Sequence, residues 1–223
     1  MLPAVDLPPL ASNTPLWLAL LTTGVAATEG AVVARQRNEH NTPMDVVGVF
    51  VMALFLGLGG ALARDLLLGN TPVVAIRTPW YIVVVALATL VVLAAGRYIP
   101  AIDSPAFILL DALTLGLYSA VGVQYALAFG VSVLGAMLVG LFAGLTGAAI
   151  VSILRQETPS FMQPNWPYGL LAVVGLCAYL ALVRVNEGLA VLACVGVVVI
   201  LRFVTLRWNI RTKDVTAPDD AAP

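Results

Sequence analysis

Gly57-Leu58-Gly59-Gly60-Ala61-Leu62-Ala63-Arg64-Asp65, followed by Gly69 and Pro72, decides how this chain is read. The stretch lies inside a long apolar segment. Each glycine weakens a helix by about 1 kcal/mol relative to alanine. Three of them fall within four residues, and an arginine and an aspartate follow while the sequence is still apolar. In lipid, freed backbone and ionisable groups are tolerated only against protein or beside a cavity. The stretch therefore predicts a broken membrane helix next to a pathway.

The surrounding composition agrees with a membrane setting. The chain has 223 residues, of which 61% are hydrophobic and 10% charged, with a mean hydropathy of +0.99. Soluble domains carry about 25% charged residues. No basic stripe points to nucleic acid. Cys177 and Cys194 sit in apolar runs without CxxC spacing and are read as small buried residues. The segment Met1–Pro15 is Pro-rich and lacks Lys and Arg, so no cleaved signal peptide is expected.

A spanning helix needs about 20 mostly apolar residues. On that rule the chain reads as an all-α membrane protein with seven spans, near Leu16–Gln36, Met44–Leu68, Trp80–Gly96, Ala106–Gly122, Leu127–Leu154, Pro167–Val183 and Gly188–Trp208. Pro43, Pro79, Pro105 and Pro167 fall at span starts, where a missing N–H costs least. Residues 1–15 form a short leading segment, 16–208 the membrane domain, and 209–223 a polar tail expected to be disordered.

Lysine and arginine set the orientation. Arg35, Arg37, Arg97, Arg155, Arg207, Arg211 and Lys213 fall on one side, with Arg202 snorkelling towards it. Only Arg64, Arg77 and Arg184 fall on the other. This places the C-terminus in the cytoplasm and the N-terminus outside.

The chain also repeats. Placing Gly59-Gly60-Ala61 on Thr146-Gly147-Ala148 sets an offset of 87 (146 − 59). At that offset Gly48 meets Gly135, Leu54-Phe55 meets Leu141-Phe142, and Gly57-Leu58 meets Gly144-Leu145. Thr71-Pro72 meets Thr158-Pro159, and Tyr81 meets Tyr168. The unit holds three spans, so the second copy enters from the opposite side. The pattern predicts two inverted three-helix repeats, about 16–96 and 106–183, plus a seventh helix at 188–208. Inverted repeats place a pathway where their broken helices meet.

These residues resemble the trimeric intracellular cation (TRIC) channels and their bacterial relatives, some of which are labelled glycine transporters. The carriers are Gly57, Gly59, Gly60, Arg64, Asp65, Gly69 and Pro72 in the first copy. In the second they are Asp111, Gly116, Gly122, Gly135, Gly144, Gly147 and Pro159. The resemblance covers about Leu16 to Arg207. It implies a homotrimer in the bacterial inner membrane, with a pore for monovalent cations such as potassium in each subunit, between the kinked second and fifth helices. One departure stands out. Relatives often repeat Arg-Asp in the second copy, where this chain has Val151 and Ser152, so half of any symmetric charged gate is expected to be missing.

Several residues are candidates for the pathway. Gly57, Gly59 and Gly60, with Gly144 and Gly147, either open their helices towards a pore or let helices pack closely. Arg64 and Asp65 point about 100° apart on a helix and need not pair. They form either a mouth, with Asp65 attracting cations, or an interfacial helix end with Arg64 snorkelling. Glu29 and Asp111 lie about 8–10 Å inside the cytoplasmic end of their spans at 1.5 Å per residue. Two carboxylates at similar depth are a candidate cation site; alternatively, Asp111 serves the start of its helix. Thr28, Thr114, Tyr118, Ser119, Gln124 and Tyr125 line the pore or bond helix to helix.

The lone His40 sits in a charged loop and is read as solvated. With one histidine and no P-loop, metal constellation or nucleophile–His–acid set, no enzyme, cofactor or metal is expected. Two functions remain: a cation channel, selective through carboxylates and carbonyl oxygens, and a secondary transporter of a small zwitterion such as glycine.

Overall fold

The described residues of the computed structural model are 14–36, 43–102, 104–163 and 167–210. His40, Arg37, Arg211, Lys213 and most of both terminal segments lie outside them. Among the described residues there are eight α-helices: α1 Leu16–Arg35, α2 Val46–Leu67, α3 Val74–Arg77, α4 Trp80–Ala95, α5 Pro105–Ala128, α6 Val133–Leu154, α7 Tyr168–Leu182 and α8 Glu187–Arg207. Helices α1, α2, α5, α6 and α8 are long and apolar enough to cross a membrane; α4 and α7 are apolar but shorter.

Side-chain caps satisfy N–H groups that helix starts leave free. Asp45 accepts from Gly48 N at 2.8 Å to open α2, and Ser132 accepts from Gly135 N at 3.3 Å to open α6. Ser104 and Asn186 do the same for α5 and α8. Helices α2 and α6 stop alike. Gly69 (φ +66°) follows the C-cap Leu68, and Gln156 (φ +59°) follows the C-cap Arg155. A left-handed residue there turns the chain out of the helix. Adding 87 to 46, 67 and 69 gives 133, 154 and 156, so the sequence offset carries α2 onto α6 limit for limit.

The expected turn between the fourth and fifth spans is misplaced. Helix α5 continues through Gly122 to Ala128. Gly122 packs there, with an added Cβ falling 2.8 Å from Gly140 Cα. The turn lies instead at Gly130 (φ +74°), just before the Ser132 cap. The other helix limits lie within two residues of those expected.

In the packing, α1 lies against α2, α4 and α5; α5 also packs on α6, α7 and α8; α2 crosses α6; and α7 lies on α8. Large apolar side chains cover much of the outside, including Trp17, Leu90, Leu134 and Leu192. That outer surface suits lipid or further subunits. Cys194 is buried, its Sγ 3.7 Å from the Gly116 carbonyl oxygen. Cys177 is exposed on α7, contrary to expectation, because it lies on a face no other helix covers.

Candidate functional site

The glycines do not interrupt their helices. Helix α2 runs unbroken through Gly57, Gly59 and Gly60, and α6 through Gly144 and Gly147. They are close-packing positions instead. A Cβ on Gly59 would lie 2.8 Å from Gly147 Cα, and one on Gly60 would lie 2.3 Å from the Ala143 carbonyl oxygen. One on Gly147 would lie 2.8 Å from the Leu56 carbonyl oxygen. Position 60 therefore meets 143 while 56 meets 147, so the helices cross antiparallel. Adding 87 to 56 and 60 gives 143 and 147, and the crossing maps onto itself. Gly57 packs on Ala27 of α1, and Gly140 and Gly144 receive Ser119 and Leu115 of α5. Backbone approach this close needs residues without a Cβ.

Tyr118 bridges α5 to α2 beside this crossing. Its hydroxyl donates to the Gly57 carbonyl, and its ring covers Gly60. Ser119, next to it, is fully buried, and its hydroxyl has no partner among the described residues.

At the Leu67 end of α2, Arg64 and Asp65 do pair. Asp65 Oδ1 accepts from Arg64 Nε at 2.9 Å, with Nη2 2.7 Å away. The Arg64 guanidinium lies 3.6 Å above the Tyr125 ring, a cation–π arrangement. Asp65 Oδ2 accepts from Val74 N at 2.7 Å and so fixes the start of α3. Their side chains are only 2% and 0% exposed. Arg64 thus points inward, and the snorkelling alternative is overturned: the ring and the carboxylate together replace water.

The opposite end carries a second cluster, built from α1, α5, α6, α7 and α8. Glu29 is buried, with no partner for Oε2 among the described residues. Asp111 and Thr114 of α5 are its electrostatic and polar neighbours. Asp111 lies two turns inside α5 and does not cap it. It accepts from the Tyr168 hydroxyl at 2.7 Å and from Arg202 Nη2 at 3.2 Å. Arg202 also lies 5.0 Å from the Tyr168 ring centre. It was expected to reach for the interface; the carboxylate holds it inside. Two neighbouring cavities open here, of about 330 and 390 Å³, and Asp111 borders both. Glu29 and Arg155 line the first, Arg202 the second.

The end of α6 carries an ion pair too. Val151 and Ser152 do occupy the aligned positions, but Arg155, one turn beyond Val151, pairs with Glu157 at 2.9 Å. Arg155 Nη1 also donates to the Val33 and Gln36 carbonyls at 2.6 and 3.2 Å, capping the end of α1. The aligned positions are uncharged as expected; the ion pair of this helix end lies at Arg155 and Glu157, beyond the last turn of α6.

Sequence reasoning missed the partnerships of Arg155, Arg202 and Tyr168. The i, i+4 relation of Val151 to Arg155 was the available signal for the first. Of the remaining candidates, Thr28 and Thr114 bond back to carbonyls of their own helices, and Gln124 donates to Glu187. No group of three or more His, Cys, Asp or Glu that could hold a metal occurs among the described residues. Asp111 and Tyr125 are 14 residues apart, or about 21 Å along α5 at 1.5 Å per residue. The two charged clusters thus stand at opposite ends of the bundle, with the glycine crossing between them.

An all-helical bundle with an apolar exterior and ionisable groups turned inward defines a polytopic membrane protein. The family model described as Glycine transporter matches residues 16–97 and 108–184. The chain belongs to that family, and its fold is that of the TRIC channels. It is 26% identical over 200 residues to the inner membrane protein YadS of Escherichia coli K12, covering 87% of this chain and 93% of that one. A structure solved in a study of conductance through TRIC cation channels superposes with a TM-score of 0.75 at 25% identity, covering 92% of this chain and all of the other. The TRIC orthologue from Rhodobacter sphaeroides gives 0.75 at 26% identity, covering 87% and 98%.

Proposed function

We propose that this protein is a cation channel of the bacterial inner membrane. Monovalent cations, potassium foremost, pass through each subunit of a homotrimer, between α2 and α6. The chain crosses the membrane seven times, with α4 and α7 as short spans, as two inverted three-helix repeats and a final helix. The N-terminus lies outside and the C-terminus in the cytoplasm. The observation that carries this reading is the self-matching glycine crossing with a buried charged cluster at either end, in a fold shared with cation channels. Glu29, Thr114 and Asp111 form the inner part of the path, Arg64 and Asp65 the outer part. Conduction requires α2 and α6 to part at Gly59 and Gly147, and Tyr118 to leave the Gly57 carbonyl.

The test is reconstitution of the purified protein into planar bilayers under a potassium gradient. Unitary currents whose reversal follows potassium are expected. Glu29→Gln with Asp111→Asn is expected to lower conductance several-fold; unchanged currents would remove both carboxylates from the path.

A second reading, uptake of a small zwitterion such as glycine, draws on the family's description and on Glu29 Oε2 and Arg202 Nε and Nη1, which have no hydrogen-bond partner among the described residues. Silent bilayers together with saturable glycine uptake in liposomes would favour it over the channel.

A further inference from the structure

We infer that Arg155 is the inner latch of the pathway: a tethered cation seated on the carbonyl end of α1, which pins α6 to α1 and keeps that end of the α2–α6 crossing shut. The seat takes a guanidinium group, so free guanidinium ion is its ligand once the side chain is removed. The inference rests on the proposed path between α2 and α6.

A helix leaves its last carbonyls without intrahelical partners, and that end carries a partial negative charge. At the end of α1 the Val33 and Gln36 carbonyls accept from Arg155 Nη1 at 2.6 and 3.2 Å. Glu157 directs the rest of the guanidinium: its two oxygens accept from Nε and Nη2, each at 2.9 Å. This two-point grip fixes the plane of the group and leaves Nη1 facing α1. The Arg155 side chain is only 3% exposed, so a cation is built into the seat.

These bonds join two helices that otherwise barely touch. Helix α1 packs on α2, α4 and α5, and α6 on α2, α5 and α7. Because α1 lies along α2, α6 cannot leave α2 at this end while Arg155 holds α1. The cavity of about 330 Å³ stands between the latch and the crossing: Val33 and Arg155 line it, and so does Leu56, which meets Gly147. At the other end the position aligned with Arg155 (155 − 87 = 68) is Leu68, which packs among apolar side chains. The latch is therefore not a property of the repeat, and it acts at one end only.

The experiment uses the full-length protein in planar bilayers with potassium on both sides and reads the ratio of open to closed time. Arg155→Ala is expected to raise that ratio at least about tenfold, the scale of one hydrogen bond to a charged group, with unitary conductance unchanged. Guanidinium chloride at low millimolar concentration is expected to return Arg155→Ala towards the wild-type ratio and to leave wild type as it is. Arg207→Ala removes an exposed cation from the end of α8 and is expected to gate like wild type with or without guanidinium. If wild type conducts and Arg155→Ala keeps the wild-type ratio, or gates differently without answering to guanidinium, the inference is overturned and the channel reading stands. If Arg155→Ala does not fold, Glu157→Gln decides, since it keeps the cation and loses the carboxylate that directs it: a several-fold rise in the ratio supports the latch, and an unchanged ratio overturns it. If wild type does not conduct, the channel reading fails, and melting of the purified proteins decides the seat. A rise in melting temperature with guanidinium for Arg155→Ala alone supports it, and an equal response in wild type overturns it.

Discussion

The Leu67 end of α2 and the Leu154 end of α6 share a backbone and differ in chemistry. Both close on a left-handed residue after the C-cap, and both lead to Thr-Pro. In α2 the ion pair sits inside the last turn, sealed beneath Tyr125 and tied to the neighbouring α3. In α6 the pair starts at the C-cap, Glu157 is 26% exposed, and the arginine reaches across to α1. The two backbones end alike, while the ion pair lies inside the last turn of α2 and beyond the last turn of α6. One end is therefore held by a buried pair that depends on itself. The other is held by a cation that serves a helix terminus.

The largest expected effect tests that contrast. Arg64→Ala leaves Asp65 charged and buried, at a cost of about 3–5 kcal/mol. Arg155→Ala is expected to cost about 1–3 kcal/mol, because Glu157 can turn to water and the lost bonds are to carbonyls. Thermal unfolding of the purified variants in detergent measures both; equal losses would break the distinction.

Next comes the crossing that joins the two ends. Gly60→Ala is expected to destabilise by about 1–3 kcal/mol through overpacking, since backbone cannot yield as a side chain does. Gly147→Ala, with 2.8 Å in place of 2.3 Å to the facing carbonyl oxygen, is expected to cost less. The same melts rank them.

Smaller again is the pair Tyr168 and Tyr81, which the repeat aligns. Tyr168→Phe loses the bond to Asp111 and is expected to cost about 1 kcal/mol. Tyr81→Phe is expected to be neutral or slightly stabilising, because the Tyr81 hydroxyl is buried without a partner among the described residues. A cost at Tyr81 matching that at Tyr168 would show that the two copies use this tyrosine alike.

The smallest effect concerns the helix stops. Gln156→Gly is expected to stabilise by about 0.5–1 kcal/mol, and Gly69→Gln to destabilise by a similar amount, because only glycine takes a positive φ without strain. Denaturation in detergent would read both shifts.

Much of the fold was legible. The repeat offset, read from Gly57-Leu58, Thr71-Pro72 and Tyr81, carries α2 onto α6 to the residue, because caps, stops and packing glycines all leave marks in the sequence. Gly122 misled: a packing glycine and a turn glycine are the same letter, and only a neighbour such as Gly140 distinguishes them. The expected helix break failed for the same reason, since Gly57, Gly59 and Gly60 answer to Ala27, Gly147 and Ala143 rather than to solvent. Glu29 and Asp111 stood out as carboxylates in apolar helices. That Asp111 is already held by Tyr168 and Arg202 did not, because those partners lie 57 and 91 residues away.

By itself the sequence determined the membrane class, the helices, their caps and the doubled glycine pattern. These follow from hydropathy, spacing and local hydrogen bonding, which act between near neighbours in the chain. Tertiary structure alone decided which charges meet. Arg64 turns inward onto Tyr125, Arg155 takes the end of α1, and Arg202 joins Asp111 beside the buried Glu29. In a low-dielectric bundle a buried charge takes whatever partner packing brings within reach, and that partner is set by helix crossing, not by position in the chain.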